Sequence, residues 1–155
     1  MSSVDLKFEK AAQTKVAYVQ LIGPYENWGK GIMELKDWLK SQHAEIAGKP
    51  IALFYDNPTE TPPEKLRSDA CFPIAGDIKP SGKFQIKDLP AGEIAVTKHT
   101  GSPDEYTRTY GAFLEGLLNQ GYMFYGPARE IFEEARSDLR PGMGIQIQQL
   151  VRKRD

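Results

Sequence analysis

Glu130 is the residue of this chain whose placement raises a chemical question. In the alternating stretch "REIFEEA", Glu130, Phe132 and Glu134 share one face of a predicted strand, and Ile131 and Glu133 share the other. The alternation does not decide which face points inward. On an outward face Glu130 would be an ordinary solvated carboxylate, whereas on an inward face it would place a charge against apolar side chains.

Aromatic side chains are the second feature with a chemical use. The chain has seven Phe, seven Tyr and two Trp, and most of them are expected to build the core. Trp28, Tyr106 and Tyr110 stand apart because an indole N–H or a phenol O–H suits the wall of a partly open groove.

Metal ligands and nucleophilic catalytic groups are not indicated. No two of His43, His99 and Cys71 have a ligand-like spacing, which disfavours a zinc site. The segment "HTGSPD" contains a histidine, Ser102 and Asp104, but the latter two suit the start of a helix, and catalytic triads are assembled from separated loops. Glycine loops with phosphate-binding spacing are absent. The sequence therefore predicts no metal and no cofactor.

Composition limits the remaining function classes. A chain of 155 residues fits one domain, and its 20 basic and 21 acidic side chains leave a net charge of −1, which disfavours nucleic acid and anionic membranes as partners. No apolar run approaches the roughly 20 residues that cross a bilayer. With a single cysteine and no secretion signal in "MSSVDLKFEK", the protein is predicted to be cytoplasmic.

An internal repeat supplies the elements that must position these residues. At an offset of 78, "LKFEKAAQTKVAYVQL" from Leu6 lies over "FQIKDLPAGEIAVTKH" from Phe84 with matching alternation. The same offset places the helical stripe of Trp28, Ile32, Leu35 and Leu39 over Tyr106, Tyr110, Phe113 and Leu117. We predict two β-β-α-β-β halves, 4–75 and 82–151, joined by a connector at 76–83 within a single domain, 1–155.

The predicted class is α+β, with a pseudo-twofold pair of halves sharing one antiparallel sheet, two helices over it and a ligand groove at the seam. The opening strand of each half could also be exchanged into the other half. The first helix is expected from about 26 or 27 to 41 or 42, and the second is expected to start at a Ser102 cap with Pro103 in its first turn and to exit at Gly121. The later strands are predicted at 51–55, 70–75, 122–125, 129–135 and 144–151.

Four segments carry a resemblance to a known family. They are "GPYENWGKGIMELKDWL", "LFYDNPTETPPEKLRSDACFPI", "LPAGEIAVTKHTG" and "GPAREIFEEARSDLRPGMGIQIQQLV". In this order, on a twofold repeat, the chain resembles the GyrI-like small-molecule-binding domain. That domain is also the effector-binding domain of AraC- and MerR-type multidrug regulators and has a SOUL-like paired-repeat architecture.

The resemblance implies an aromatic pocket for bulky, often cationic, lipophilic molecules, with a late-strand glutamate at its floor. Glu130 matches that glutamate because Phe132 follows two positions later and a loop then leads to the "IQIQ" strand. A carboxylate among aromatic faces suits a delocalised cation. The expected ligand-binding residues are Glu130, Trp28, Tyr55, Tyr106, Tyr110, Tyr125 and Phe132.

Two departures accompany the resemblance. Some members carry a tyrosine on the last strand where this chain has Ile145 and Ile147. No DNA-binding helix pair precedes the domain in this sequence, so a standalone binding protein is expected.

The resemblance leaves three functions open. The first is binding or sequestering of aromatic lipophilic cations. The second is hydrolysis of cyclopropane-containing, DNA-alkylating natural products, with Glu130 acting on the attacking water and a tyrosine donating a proton. The third is interaction with DNA gyrase as an inhibitor, which would need an exposed patch.

Overall fold

The computed structural model describes residues 5–98 and 105–154, which form nine strands and two α-helices. The strands are β1 (Lys7–Ala11), β2 (Thr14–Ile22), β3 (Glu45–Ile46), β4 (Ile51–Phe54), β5 (Arg67–Ala75), β6 (Phe84–Leu89), β7 (Gly92–Lys98), β8 (Tyr122–Ile131) and β9 (Gln146–Lys153). The helices are α1 (Trp28–Ser41) and α2 (Tyr106–Asn119). The α+β class predicted from the repeat is confirmed.

All nine strands belong to one antiparallel sheet with the order β1-β7-β9-β8-β4-β5-β2-β6, and the short β3 pairs with β5. The seam of the sheet is the pairing of β4 with β8. β1 pairs with β7, and β6 pairs with β2. The opening strand of each half is therefore exchanged into the sheet of the other half, which is the second of the two arrangements that the sequence allowed.

Both helices pack on the same face of the sheet, which we call the helix-covered face. Ala52, Glu130 and Ile147 are cross-strand neighbours on it. Ala52 belongs to the core under α1, and Ile147 belongs to the core under α2. The α1 stripe predicted from the spacing is fully buried at Trp28, Ile32, Leu35 and Leu39. Neither helix exceeds 14 residues, and no helix in the described ranges could span a membrane.

The structure corrects the predicted boundaries of the late strands. The segments expected at 122–125 and 129–135 form the single strand β8, interrupted by an irregularity between Tyr125 and Arg129. Gly126 has a φ of +73°, which explains the break in the ladder. β8 ends at Ile131, and after the buried Phe132 the chain continues into the mostly exposed segment 133–138, while β9 begins at Gln146 instead of at 144.

The start of the second helix can be compared only in part. The predicted cap Ser102, with Pro103 and Asp104, lies outside the described residues, as does His99. Within the described part, α2 begins at Tyr106. Gly121 follows it with a φ of +83°, which agrees with its predicted role as the helix exit.

Two glycines of the helices should respond oppositely to alanine. A Cβ on Gly29 would lie 2.6 Å from the backbone nitrogen of Leu139, whereas a Cβ on Gly111 would meet nothing within 4 Å. We expect Gly29→Ala to lower the free energy of unfolding by about 1–3 kcal/mol, because backbone cannot yield easily. Gly111→Ala should raise it by about 0.5–1 kcal/mol through helix propensity. Urea denaturation measures both, and a neutral Gly29→Ala would contradict the close approach.

Candidate ligand cavity

A cavity of about 730 Å³ opens on the helix-covered face between the turn that precedes α1 and the exposed side of α2. Its floor is the seam strands, and its apolar lining includes Tyr25, Phe54, Leu66, Tyr106, Tyr110, Leu114, Phe124 and Ala128. Its charged lining residues are Glu26, Asp56 and Arg140. This is the groove at the seam that the repeat predicted.

Two pairs of aromatic rings form opposite walls of the cavity. On α2, the rings of Tyr106 and Tyr110 lie nearly parallel, with centroids 6.0 Å apart and an interplanar angle of 5°. On the other side, Tyr25 packs against Phe54 at a centroid distance of 4.8 Å. The walls can therefore receive flat aromatic molecules between them.

The Tyr25 wall is held in place by hydrogen bonds at the cavity rim. The Tyr25 hydroxyl donates to the backbone oxygen of Asp56 at 2.8 Å and accepts from the Asp56 N–H at 3.0 Å. The Asp56 carboxylate accepts two bonds from the Arg67 guanidinium, and this hydrogen bonding lowers the pKa of Asp56. The rim is thus organised before any ligand arrives.

Tyr55 borders the cavity, but its hydroxyl is turned to the other side of the sheet. There it donates to Asp69, whose carboxylate also accepts from Lys87. Burial and the bond to Asp69 raise the pKa of Tyr55 to about 12. Tyr55 therefore contributes surface to the cavity rather than an ionisable group.

Glu130 is fully buried on the helix-covered face and is held by a glycine-rich loop. The N–H of Gly142 donates to its two oxygens at 3.1 and 3.0 Å, and the N–H of Gly144 donates at 2.6 Å. Burial raises the pKa of Glu130 to about 7, although these bonds pull it down. Glu130 is therefore divided between its neutral and charged forms near neutrality.

The loop sequence explains this cradle. Gly142 has a φ of +96°, a conformation that side chains disfavour. A Cβ on Gly144 would lie 2.5 Å from an oxygen of Glu130. The pair of glycines in "PGMG" thus allows two backbone N–H groups to approach the carboxylate.

Glu130 lies directly behind the cavity lining. Ala128, two positions earlier on the same face of β8, and Pro141, next to Gly142, both line the cavity, whereas Glu130 is not among the lining residues. Its charge nevertheless acts on the cavity lining. The pKa of the Tyr106 hydroxyl is raised mainly by burial and, in second place, by the Glu130 carboxylate. The carboxylate and the α2 wall thus belong to one electrostatic site.

Three of the other residues expected at the site lie elsewhere. Trp28 and Phe132 are fully buried and stack on each other at a centroid distance of 4.6 Å, and the Trp28 indole N–H donates to the backbone oxygen of Asp69. Tyr125 is 41% exposed, beside the guanidinium of Arg152. None of the three lines the cavity.

Gln149 is a lining residue that the sequence reasoning missed. Its side-chain amide is buried and donates to the backbone oxygens of Tyr125 and Gly126, while its oxygen accepts from the Tyr110 hydroxyl at 3.4 Å. The only signal in the sequence was a polar residue at an inward position of the final strand. Among the described residues, no three His, Cys, Asp or Glu side chains form a metal-binding cluster.

The sequence matches a family model described as the GyrI-like small molecule binding domain, over residues 5–144. The chain is 32% identical to a "DNA gyrase inhibitor" of Serratia proteamaculans (strain 568) over 118 residues, which are 73% of this chain and 75% of that protein. It is 30% identical to "DNA gyrase inhibitor 1" of Dickeya dadantii (strain 3937) over 139 residues, 87% of this chain and 90% of that one.

Solved structures share the fold at low identity. The EcmrR C-terminal domain superposes with a TM-score of 0.75 at 15% identity, covering 97% of this chain and 98% of that one. In the EcmrR–DNA complex the TM-score is 0.81, and this chain spans only 58% of the EcmrR chain. A Listeria innocua hydrolase has a TM-score of 0.66 at 9% identity, covering 97% and 93% of the two chains. SAV2435, solved with tetraphenylphosphonium, has a TM-score of 0.54 at 8% identity, covering 95% and 92%.

Proposed function

Because the chain belongs to the GyrI-like small-molecule-binding domain family, we propose that its cavity binds bulky aromatic lipophilic cations. In this proposal the aromatic walls take up the flat surface of the ligand, and Glu130 supplies the opposing charge. The observation that carries it is a fully buried carboxylate, held by two backbone N–H groups directly behind the lining of an aromatic cavity.

The dimensions and lining of the cavity support this ligand class. A volume of about 730 Å³ suits a drug-sized molecule. Parallel rings at 6.0 Å on α2 and the Tyr25–Phe54 pair opposite offer π faces, which attract cations as well as apolar surface. Few directed hydrogen bonds are required, so such a site can accept several ligands.

Charge supports a cation over an anion. Glu130 and Tyr106 influence each other electrostatically, and among the described lining residues the two carboxylates of Glu26 and Asp56 outnumber the single cation, Arg140. A ligand cation against Tyr106 would favour the ionised form of Glu130, since burial weakens the screening between them. The structural relative SAV2435 was solved with tetraphenylphosphonium, a cation of this class.

Titration calorimetry with tetraphenylphosphonium tests the proposal. Wild-type protein is expected to bind it, and Glu130→Gln, which keeps the shape but loses the charge, should bind about tenfold more weakly at pH 8. Glu133→Gln, which removes an exposed carboxylate from the neighbouring loop, is the matched control and should bind like wild type.

The ligand class and the role of Glu130 are tested by different outcomes. If wild-type protein does not bind tetraphenylphosphonium or related flat cations, the ligand class is wrong. If it binds them and Glu130→Gln binds equally well, the ligand class stands and the role given to Glu130 is wrong.

Hydrolysis of a cyclopropane-bearing alkylating compound is a second candidate, favoured by the electrostatic coupling of Tyr106 to Glu130. Ionised Glu130 would accept a proton from water as the water oxygen bonds to a ring carbon. The broken C–C bond would deliver its electron pair to the conjugated ring system, Tyr106 would donate a hydrogen bond to the resulting phenolate, and the proton taken up by Glu130 would finally neutralise the product. Mass spectrometry would detect the product with one added water, and its loss in Tyr106→Phe would assign the donor. Binding without turnover would reject this candidate.

The names of the relatives favour DNA gyrase as a protein partner. Met123, Phe124 and Tyr125 are 38–42% exposed in succession and could form part of such a surface. A gyrase supercoiling assay with added protein tests this candidate. Unchanged supercoiling at a large excess of protein would count against it.

A further inference from the structure

Arg129 is a buried cation with no partner in the described part of the chain. It lies on the face of the sheet opposite the helices, the uncovered face, where its cross-strand neighbours are Leu53 and Gln148. Its side chain is only 6% exposed, yet no carboxylate, carbonyl or aromatic ring among the described residues engages its guanidinium. A buried charge normally has such a partner.

The other buried ionisable groups of this face are engaged. Asp69, across Leu53 from Arg129, is bound by Lys87 and by the Tyr55 hydroxyl. Arg67, which is exposed at the rim, pairs with Asp56. Cys71 is fully buried, and burial raises the pKa of its thiol, so it supplies no anion. Arg129 thus remains uncompensated in a setting where burial lowers its pKa.

Solvent still reaches the guanidinium. Among the described residues, only an oxygen of Asp69 is both inaccessible to solvent and without a hydrogen-bond partner. The nitrogens of Arg129 have no such partner either, so they must be in contact with solvent. The approach is narrow, since the neighbouring Leu53 and Val96 are almost completely buried. Basic Lys98 and Arg152 flank it on β7 and β9 and would attract an anion.

We propose that Arg129 anchors a second ligand site, on the uncovered face, for a small organic carboxylate. The planar guanidinium matches a carboxylate through two parallel hydrogen bonds. A monoanion with an apolar body fits the narrow, apolar surroundings at a lower desolvation cost than a phosphate dianion. The site is separate from the cavity, because Arg129 and Glu130 are consecutive on β8 and point to opposite faces.

Benzoate is the probe, in thermal denaturation and NMR titration of the arginine side-chain N–H groups. Wild-type protein should show a saturable shift of one buried arginine N–H and a higher Tm with benzoate, but not with sodium chloride at equal ionic strength. Arg129→Met should lose both responses, and Arg129→Lys should need at least tenfold more benzoate. Arg108→Met removes an exposed arginine of α2, which the site does not include, and should respond like wild type.

The stability of the variant distinguishes a ligand site from a structural arginine. Without ligand, Arg129→Met should melt at or above the wild-type temperature, because it removes an uncompensated buried charge. A markedly lower Tm, or a shift with chloride equal to that with benzoate, would overturn the proposal. Glu130→Gln should leave the benzoate response unchanged, so the outcome is independent of the function proposed for the cavity.

Discussion

Trp28→Ala is expected to lower the free energy of unfolding by about 4 kcal/mol. The indole is fully buried at the start of α1, stacks on Phe132, and donates to the backbone oxygen of Asp69 at 3.0 Å. Truncation would leave a large cavity and remove the indole hydrogen bond, and buried Trp or Phe to Ala changes cost about 3–5 kcal/mol. Guanidinium denaturation followed by far-ultraviolet circular dichroism measures this loss.

Trp38 provides the control for this prediction. It lies on the same helix, is only half-buried, and stacks on Phe84 at a centroid distance of 4.9 Å. We expect Trp38→Ala to be markedly less destabilising than Trp28→Ala, since its surroundings can rearrange and water can fill the space. Equal losses would contradict the difference in burial between the two residues. A small loss at Trp28 together with weaker ligand binding would show that Trp28 is a cavity wall instead of core.

Glu130 should make the stability of the protein depend on pH. Its pKa rises from an ordinary value of 4.5 to about 7 on folding, mainly through burial, so the folded state binds its proton more tightly. The stabilisation by this bound proton is fully present below pH 4.5 and is lost as pH rises through about 7. At higher pH the group no longer changes the free energy of unfolding. At 1.36 kcal/mol per pKa unit, the loss amounts to about 3 kcal/mol.

Glu130→Gln isolates this contribution from that of other ionisable groups. The free energy of unfolding of the variant, minus that of wild type, should increase by about 3 kcal/mol between pH 4.5 and pH 8, because glutamine does not titrate. Tyr106, which feels the Glu130 charge, has a pKa raised well above 10 and adds nothing in this range. A difference that is flat with pH would show that Glu130 is ordinarily ionised.

The ionised form of buried Glu130 lowers the stability of the folded protein. A carboxylate held by the N–H groups of Gly142 and Gly144, with no cation beside it in the described structure, is harder to ionise than an exposed carboxylate. A bound ligand cation would stabilise the ionised carboxylate, so ligand affinity and the ionisation of Glu130 are linked. The core under α1 adjoins this site, because Trp28 stacks on Phe132, two positions after Glu130.

The local sequence predicts the elements of the fold well. Alternation and the four-three-four stripe placed α1 and most strands, and the offset of 78 identified two halves. The strand boundaries near Gly126 and Gly144 were misplaced, since those depend on a bulge and on a loop that folds back to Glu130. Such contacts join residues far apart in the sequence and leave no periodic signal.

The sequence by itself therefore determined the class of the fold, the repeat and the inward preference of the aromatic stripes, because these follow from hydrophobic periods of two and 3.6 residues. Only the tertiary structure decided which side chains became cavity wall and which became core. Trp28 and Tyr106 occupy equivalent repeat positions, yet one stacks on Phe132 beneath α1 and the other faces the cavity. The same packing separated Arg129 from Glu130, since adjacent strand residues receive opposite faces of the sheet.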